Sequence, residues 1–150
     1  MYSMNMAMVE ILPNLFLGGA NHAFAKDMDM VINCTVEVGF NKNSDAKKYR
    51  LGVQNDSSEN LALLQMLLKS PDLFDEISKS IRCDKNVLIH CCFGKQRAAA
   101  VMACFLIYMF NISVDHAVRF IQMRMPGAFQ DNNNFIETIH GFYLHGHSVQ

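Results

Sequence analysis

One cysteine and one arginine, separated by five residues, are the residues of this chain best placed to do chemistry. Cys91 and Arg97 bound the loop Cys92-Phe93-Gly94-Lys95-Gln96, and His90 directly precedes the cysteine. Loop amides and a helix N-terminus attract a doubly charged anion, and a guanidinium can bind two of its oxygens. The same positive field favours the thiolate form of a cysteine, which is the nucleophilic form. The spacing therefore predicts that Cys91 attacks a bound phosphate.

The residues on either side of this loop predict a strand before it and a helix after it. The apolar run Asn86-Val87-Leu88-Ile89 leads into His90, and an apolar pattern of helical period begins at Ala98. Gly94 permits a tight turn between the two. In this order, the backbone N–H groups from Cys92 to Arg97 would converge on one phosphate. The alternative interpretation is a buried cysteine pair with a surface arginine.

This motif resembles the signature of the cysteine-dependent protein tyrosine phosphatase superfamily. Three further segments are similar to its dual-specificity branch, the last of them particularly to the small viral H1-like enzymes: Ile11–Gly18, Val31–Thr35 and Gly127–Phe135. We find no insert of the kind that deepens the pocket of the larger, tyrosine-specific relatives. The resemblance therefore implies a shallow pocket that accepts phosphoserine and phosphothreonine as well as phosphotyrosine.

Phosphate ester hydrolysis by a thiolate needs a nucleophile, an anion-binding loop, a proton donor for the leaving group and an activated water. Cys91 is the expected nucleophile, and the amides of Cys92 to Arg97 with the Arg97 guanidinium are the expected phosphate ligands. We expect His90 to support the loop by a hydrogen bond rather than to transfer a proton; a satisfied core histidine is the alternative. The resemblance implies a phosphocysteine intermediate without a metal or cofactor.

Asp56 is the expected general acid. It follows a predicted strand, as the aspartate does in the dual-specificity branch, and it lies 35 residues before Cys91. The alternative is that Asp56 caps the next helix, because Glu59 follows it at the spacing of a capping box. Asp45 and Asp72 are the reserve candidates, and each also has a plain explanation in a surface loop or a first helical turn.

Ala98 is the main departure from the family pattern. The family usually carries serine or threonine directly after the arginine, where the hydroxyl bonds the cysteine sulfur and eases its departure from phosphocysteine. Because alanine has no hydroxyl, we expect hydrolysis of the intermediate to suffer more than its formation. Asn132 matches an asparagine that the family uses near the active-site loop, and an N-cap of the final helix is its alternative role.

The remaining loop residues carry weaker signals. Cys92 invites a redox role, but adjacent cysteines rarely form an unstrained disulfide, so packing under the loop is expected. A lysine at the position of Lys95 also occurs in superfamily members that act on phosphoinositides or inositol polyphosphates. Those members usually carry a second basic residue in the loop, and Cys92 and Gln96 do not supply one.

Composition limits the classes of partner. The chain has 150 residues, 51% of them hydrophobic, and a formal net charge of −1, so we expect one catalytic domain over 1–150 without a strong nucleic-acid or membrane surface. Five cysteines without disulfide-framework or metal-ligand spacing, and no secretory leader, favour a reducing compartment. We expect a cytoplasmic protein, with the nucleus as an alternative and, for a viral origin, the host cell or virion. The sequence does not indicate the oligomeric state.

Apolar runs and turn residues predict an α/β domain with a mainly parallel sheet of about four to five strands flanked by helices. The predicted strands are 9–12, 14–17, 30–34, 49–54 and 87–90, with a loop over 41–48. The predicted helices are 59–69, 71–81, 97–110, 114–123 and 132–144, with one or two helical turns over 20–26. The phosphate site would lie at the carboxyl edge of this sheet.

Three functions fit these observations. The leading prediction is a dual-specificity phosphatase that acts on phosphorylated proteins. A second is a phosphoinositide, inositol-polyphosphate or RNA 5′-phosphate phosphatase on the same scaffold, although the near-neutral composition argues against nucleic acid. A third is a weakly active phospho-binding pseudophosphatase, and the motivation for it is Ala98.

Overall fold

A five-stranded sheet of order β1-β2-β5-β3-β4 forms the centre of the computed structural model, which describes residues 8–21, 24–130 and 132–146. The strands are β1 (Val9–Leu12), β2 (Leu15–Gly18), β3 (Met30–Asn33), β4 (Lys47–Arg50) and β5 (Val87–His90). Only β1 and β2 pair antiparallel; β2 with β5, β5 with β3 and β3 with β4 are parallel. The predicted α/β fold with a mainly parallel sheet is confirmed.

In the described ranges, five α-helices and two short 3-10 helices accompany the sheet. The α-helices are α1 (Asn60–Lys69), α2 (Pro71–Arg82), α3 (Arg97–Phe110), α4 (Val114–Arg124) and α5 (Ile136–His145). The 3-10 helices cover Phe24–Asp27 and Ser57–Glu59. Helix α3 is the central one, because it packs on β5, α4 and α5 and every residue from Arg97 to Ile107 is buried.

Both faces of the sheet are covered, which explains why the central strands are continuously apolar. Along β5, Val87 and Ile89 belong to the large core on the helical side, whereas Leu88 belongs to a smaller cluster on the opposite side. This alternation is the two-residue period of a strand. At the end of β5 the buried His90 leads directly into the loop that begins at Cys91.

Strand β4 was predicted too late in the chain. The prediction placed it at 49–54, but it covers Lys47–Arg50, so the predicted loop over 41–48 ends earlier. Its position follows from its parallel partner: Lys47 pairs with Met30 and Arg50 with Asn33, and β3 ends at Asn33. After that pair only the Leu51 amide still bonds the Asn33 carbonyl, at 2.9 Å.

The starts of two helices were also predicted too early. Helix α5 begins at Ile136 rather than 132, because the carbonyls of Asn132 and Asn134 accept hydrogen bonds from side chains of other elements. Helix α1 begins at Asn60, after a 3-10 turn that includes Glu59. The turn predicted over 20–26 is a 3-10 helix at Phe24–Asp27, and residues 22 and 23 lie outside the described residues. The bounds of β5 and α3 are those predicted.

Candidate active site

The loop between β5 and α3 is anchored to the end of β2. The Cys91 amide donates to the Gly18 carbonyl at 3.3 Å, and the Ala20 amide donates to the Cys92 carbonyl at 3.0 Å. Gly94 has a φ of +76°, and a Cβ atom there would lie 2.9 Å from the Gly18 oxygen. Only glycine meets both conditions without strain. The Gly94 amide points inward and lies 3.2 Å from Cys91 Sγ.

An open pocket of about 360 Å³ lies over this loop. It contains most of the predicted site residues, namely Cys91, Cys92, Phe93, Lys95, Gln96, Arg97 and Asn132. The structure adds four residues that were not among the predicted site residues, three of them in the family-like segment Gly127–Phe135: Asn55, Gly127, Gln130 and Asn134. Apart from Arg97 and Lys95, the polar lining consists largely of neutral amide side chains. Lys95 and Arg97 thus supply the positive charges of the lining, although the whole chain is nearly neutral.

Arg97 is 3% exposed and makes three hydrogen bonds. Its Nη1 donates to Glu37 Oε1 and to the Val53 carbonyl, both at 2.9 Å, and its Nη2 donates to Glu37 Oε2 at 2.8 Å. Nε is buried and has no hydrogen-bond partner among the described residues. A guanidinium has five N–H groups. The two that remain, on Nε and Nη2, share one edge that can bind two oxygens of an anion.

Glu37 is a site residue that sequence reasoning missed. Its hydrogen bonds from Arg97 lower the pKa of the carboxyl group from 4.5 to about 2, so it is ionised at neutral pH. Burial disfavours the charge of Arg97, but the bonds to Glu37 and the negative charge of Cys91 outweigh burial and raise the pKa of Arg97. One signal could have indicated Glu37: it follows a buried strand, at the sheet edge where ligand sites lie.

A buried polar network shapes the turn that presents Glu37. Asn33 Oδ1 accepts hydrogen bonds from the amide and the hydroxyl of Thr35, at 2.9 and 2.8 Å, and its Nδ2 donates to the Val38 carbonyl at 2.8 Å. Asn33 and Thr35 are both completely buried. Gly52 permits the chain to pass closely, because a Cβ atom there would lie 2.8 Å from the Thr35 oxygen. The turn after β3 is therefore held rigidly from both sides.

Asp56 is not among the residues that line the pocket. Its Oδ1 accepts a hydrogen bond from the Ser58 amide at 3.2 Å, so the carboxylate caps the 3-10 helix. In the expected capping box the Glu59 side chain would accept a hydrogen bond from the Asp56 amide. Instead, Glu59 Oε1 accepts from the Gln54 amide at 2.9 Å. Asn55, the neighbour of Asp56, is the residue of this loop that lines the pocket. Neither Asp45 nor Asp72 lines it.

His90 and two further cysteines, Cys92 and Cys34, lie near Cys91, the predicted nucleophile. His90 is buried, and its Nδ1 lies 3.4 Å from the Cys91 carbonyl, where it can support the loop. Cys92 Sγ donates to Glu37 Oε2 at 3.5 Å, and burial together with Glu37 raises the pKa of Cys92. Cys34 is completely buried directly after the neighbouring strand β3, and burial and the charge of Cys91 raise the pKa of Cys34. None of the five cysteines forms a disulfide.

Three further structural findings concern Ala98, metal binding and membrane crossing. Ala98 is completely buried in the first turn of α3, directly after Arg97. Within the described ranges, no three side chains of the metal-ligating types lie close enough together to hold an ion. Of the helices in those ranges, none has the length and apolarity that crossing a membrane requires.

Residues 15–144 match the family model described as dual specificity phosphatase, catalytic domain. The chain belongs to this family. Dual specificity protein phosphatase 2 of Mus musculus is 30% identical over 132 residues, which are 85% of this chain and 40% of that protein. Dual specificity protein phosphatase 9 of Homo sapiens is 26% identical over 142 residues, which are 89% of this chain and 35% of that protein. The chain thus spans well under half of the length of these relatives.

Solved dual-specificity phosphatases share the fold. Human DUSP28 aligns with a TM-score of 0.77 and 22% identity over 91% of this chain and 93% of that one. A mouse putative dual specificity phosphatase complexed with zinc tungstate aligns with a TM-score of 0.78 and 19% identity over 99% and 95%. The family model confirms the predicted membership in the dual-specificity phosphatase family. The viral H1-like branch stays a prediction.

Proposed function

We propose that this chain hydrolyses phosphate monoesters on phosphorylated proteins through a covalent phosphocysteine intermediate on Cys91. The observation that carries the proposal is the open edge of Arg97: its Nε–H is buried and has no partner in the described part of the chain, and it lies beside the pocket that Cys91 lines. A buried donor without a partner costs about 1–3 kcal/mol. Two oxygens of a phosphate would satisfy the Nε and Nη2 donors together, so the site favours a ligand of that geometry.

In the first step Cys91 Sγ attacks phosphorus, the S–P bond forms, and the bond from phosphorus to the ester oxygen breaks. Arg97 and the loop amides bind the equatorial oxygens, where charge redistributes in the transition state. Asp56 donates its proton to the leaving oxygen. In the second step the Asp56 carboxylate takes a proton from water, the water oxygen bonds to phosphorus, and Cys91 leaves as a thiolate. The products are the free hydroxyl group and inorganic phosphate.

This role for Asp56 requires a local rearrangement. The carboxylate now accepts from the Ser58 amide in an exposed position. Caps of this kind are worth about 1 kcal/mol, so releasing one is a small cost beside the barrier of phosphate transfer. The capping interpretation and the catalytic one are therefore compatible, provided that substrate binding draws the Asp56 side chain toward the pocket.

Ala98 bears on the rate rather than on the chemistry. The buried methyl group offers no hydrogen bond to Cys91 when the sulfur leaves phosphorus. We therefore propose that hydrolysis of the intermediate limits turnover. The same observation favours a second candidate function, a phospho-binding domain with little turnover, in which substrate or phosphocysteine persists on the protein.

Hydrolysis of a panel of phosphorylated compounds tests the proposal. The panel contains peptides with phosphotyrosine, phosphoserine or phosphothreonine, an inositol polyphosphate, a phosphoinositide and an RNA with a 5′-phosphate. We expect phosphate release from all three peptides by the wild-type protein and none by Cys91→Ser. Preference for the inositol compounds or the RNA would assign the second substrate class. Peptide binding by the wild-type protein without any release would assign the phospho-binding function.

A further inference from the structure

A chain of amide side chains joins the phosphate-binding loop to the loop that carries Asp56. It begins at Gln96, in the loop between Cys91 and Arg97. Gln96 Nε2 donates to the Asn132 carbonyl at 2.6 Å, and Gln96 Oε1 accepts from the Asn134 amide at 3.2 Å. Both ends of the Gln96 amide group are thus bound by the segment that precedes α5.

Asn134 continues this chain across the pocket. Its side-chain Nδ2 donates to Asn55 Oδ1 at 3.3 Å, a bond between residues 79 positions apart in sequence. Asn55 and Asn134 both line the pocket, and Asn55 directly precedes Asp56. Asn134 therefore contacts the phosphate-binding loop through its backbone and the Asp56 loop through its side chain.

Asn134 itself is held by the protein core. Its carbonyl accepts from Asn60 Nδ2 at 2.6 Å, and Asn60 is only 7% exposed. Asn60 Oδ1 in turn accepts from the amide and the hydroxyl of Thr138, at 2.8 and 2.7 Å, and Thr138 is completely buried in α5. Asn134 is thus anchored to α1 and, through Asn60, to α5, independently of its bonds to the two loops.

We propose that Asn134 is a positioning residue for the proton transfer, because it holds Asn55 at the wall of the phosphate pocket and thereby positions the loop that carries the adjacent Asp56. This inference rests on the proposed function, in which Asp56 is the general acid. Misplacing a catalytic group by about 1 Å can cost a hundredfold in rate, so one hydrogen bond on an exposed loop can decide how well the acid acts. Asn134 touches neither the substrate nor the sulfur in this role.

The dependence of the first step on the leaving group is the measurement that isolates this role. A poor leaving group needs the proton from Asp56, whereas a strongly activated one departs without it. The quantities to compare are kcat/KM for phenyl phosphate and kcat/KM for dinitrophenyl phosphate, because kcat/KM does not include hydrolysis of the intermediate. Asn134→Ala retains the backbone bonds to Gln96 and Asn60 and removes the side-chain bond to Asn55.

We expect Asn134→Ala to lower kcat/KM for phenyl phosphate by about tenfold and to leave that for dinitrophenyl phosphate nearly unchanged. Asn55→Ala should give the same pattern, and the double variant should be no worse than either single one. Asp56→Asn, which removes the proton donor itself, should show the largest loss in kcat/KM for phenyl phosphate. Asn43→Ala, the same substitution in an exposed loop, is the matched control and should behave as wild type on both substrates.

The outcomes separate this inference from the proposed function. Equal loss on both substrates would show a merely structural role for Asn134 and overturn the inference, as would wild-type behaviour of both Asn134→Ala and Asn55→Ala. In either case Cys91-dependent turnover would leave the proposed function standing. If Asp56→Asn leaves the ratio of kcat/KM for the two substrates unchanged, both the role of Asp56 as general acid and this inference are overturned. Absence of Cys91-dependent turnover in the wild-type protein would overturn the proposed function itself.

Discussion

Glu37 and Arg97 form a bidentate ion pair in which both carboxylate oxygens bind the guanidinium, at 2.9 and 2.8 Å. The pair joins a half-exposed carboxylate to a buried cation, since the side chains are 48% and 4% exposed. It occupies the Nη1 and Nη2 end of Arg97 and leaves the Nε edge open. Glu37 thus orients Arg97 so that its free donors are directed to an incoming anion.

Replacing Glu37 by glutamine tests this orientation. Glu37→Gln keeps the size of the side chain but removes the charge and one of the two acceptors. Because Glu37 is half exposed, we expect a loss in kcat/KM of about tenfold rather than the larger loss typical of a fully buried partner. The measurement is kcat/KM with para-nitrophenyl phosphate. Glu137→Gln, an exposed position in α5, is the control, and equal rates for the two variants would contradict the orienting role.

The ion pair also predicts a pH dependence of stability. The pKa of Glu37 is about 2 in the folded protein and 4.5 as its ordinary value. Stability from this group is therefore complete above pH 4.5 and is lost as the pH falls toward 2. After allowance for solvent screening of a half-exposed group, we expect ionised Glu37 to contribute about 1 kcal/mol to the free energy of unfolding. Urea unfolding of wild type and Glu37→Gln should differ at neutral pH and converge in acid; a constant difference would contradict the assignment.

Arg97→Lys should be far more damaging than conservation of charge suggests. A lysine can pair with Glu37, but it lacks the Nε and Nη2 edge that binds two oxygens at once. We expect kcat/KM for an aryl phosphate to fall by about a hundredfold or more, and tungstate to inhibit much more weakly. Inhibition constants measured beside the rates check this point. Tungstate binding equal to that of wild type would mean that the open edge of Arg97 is not the anion site.

Ala98→Ser should raise turnover. A hydroxyl at this buried position can bond Cys91 as the sulfur leaves phosphorus, and one such bond is worth up to about tenfold in rate. Stopped-flow kinetics should show a smaller burst and a faster steady state than in wild type. Ala99→Ser adds the same group one position along α3, where it is also buried, and serves as the control. Faster turnover in both variants, or in neither, would contradict the proposal that the missing hydroxyl at Ala98 limits turnover.

The sequence predicts an element well where the residues of that element alone indicate its structure. Strand β5 and helix α3 were predicted with the right bounds because each is a mainly apolar segment that directly adjoins the loop motif. Strand β4 was misplaced because three of its four residues are exposed and charged, namely Lys47, Lys48 and Arg50, so it carries no apolar period. Its position depends on pairing with β3, which the residues of β4 alone do not indicate.

The missed site residues depend on contacts between distant segments. Glu37 reaches Arg97 across 60 residues, because β3 and β5 are neighbours in the sheet but far apart in the chain. Asn134 reaches Asn55 across 79 residues, from the segment that was predicted to be the start of α5. Asn132 was expected at the site and lines the pocket, but its alternative role as N-cap is wrong because α5 begins at Ile136. The catalytic roles of Cys91, Arg97 and Asp56 stay predictions.

Trapping the intermediate tests the central claim most directly. Rapid mixing with an aryl phosphate, followed by acid quenching, proteolysis and mass spectrometry, would identify any residue that carries a phosphoryl group. The account predicts phosphate on Cys91 in the wild-type protein, at an occupancy that falls in Ala98→Ser, and none in Cys91→Ser. Phosphate release at full rate without phosphorylated Cys91, or a phosphoryl group on another residue, would contradict it.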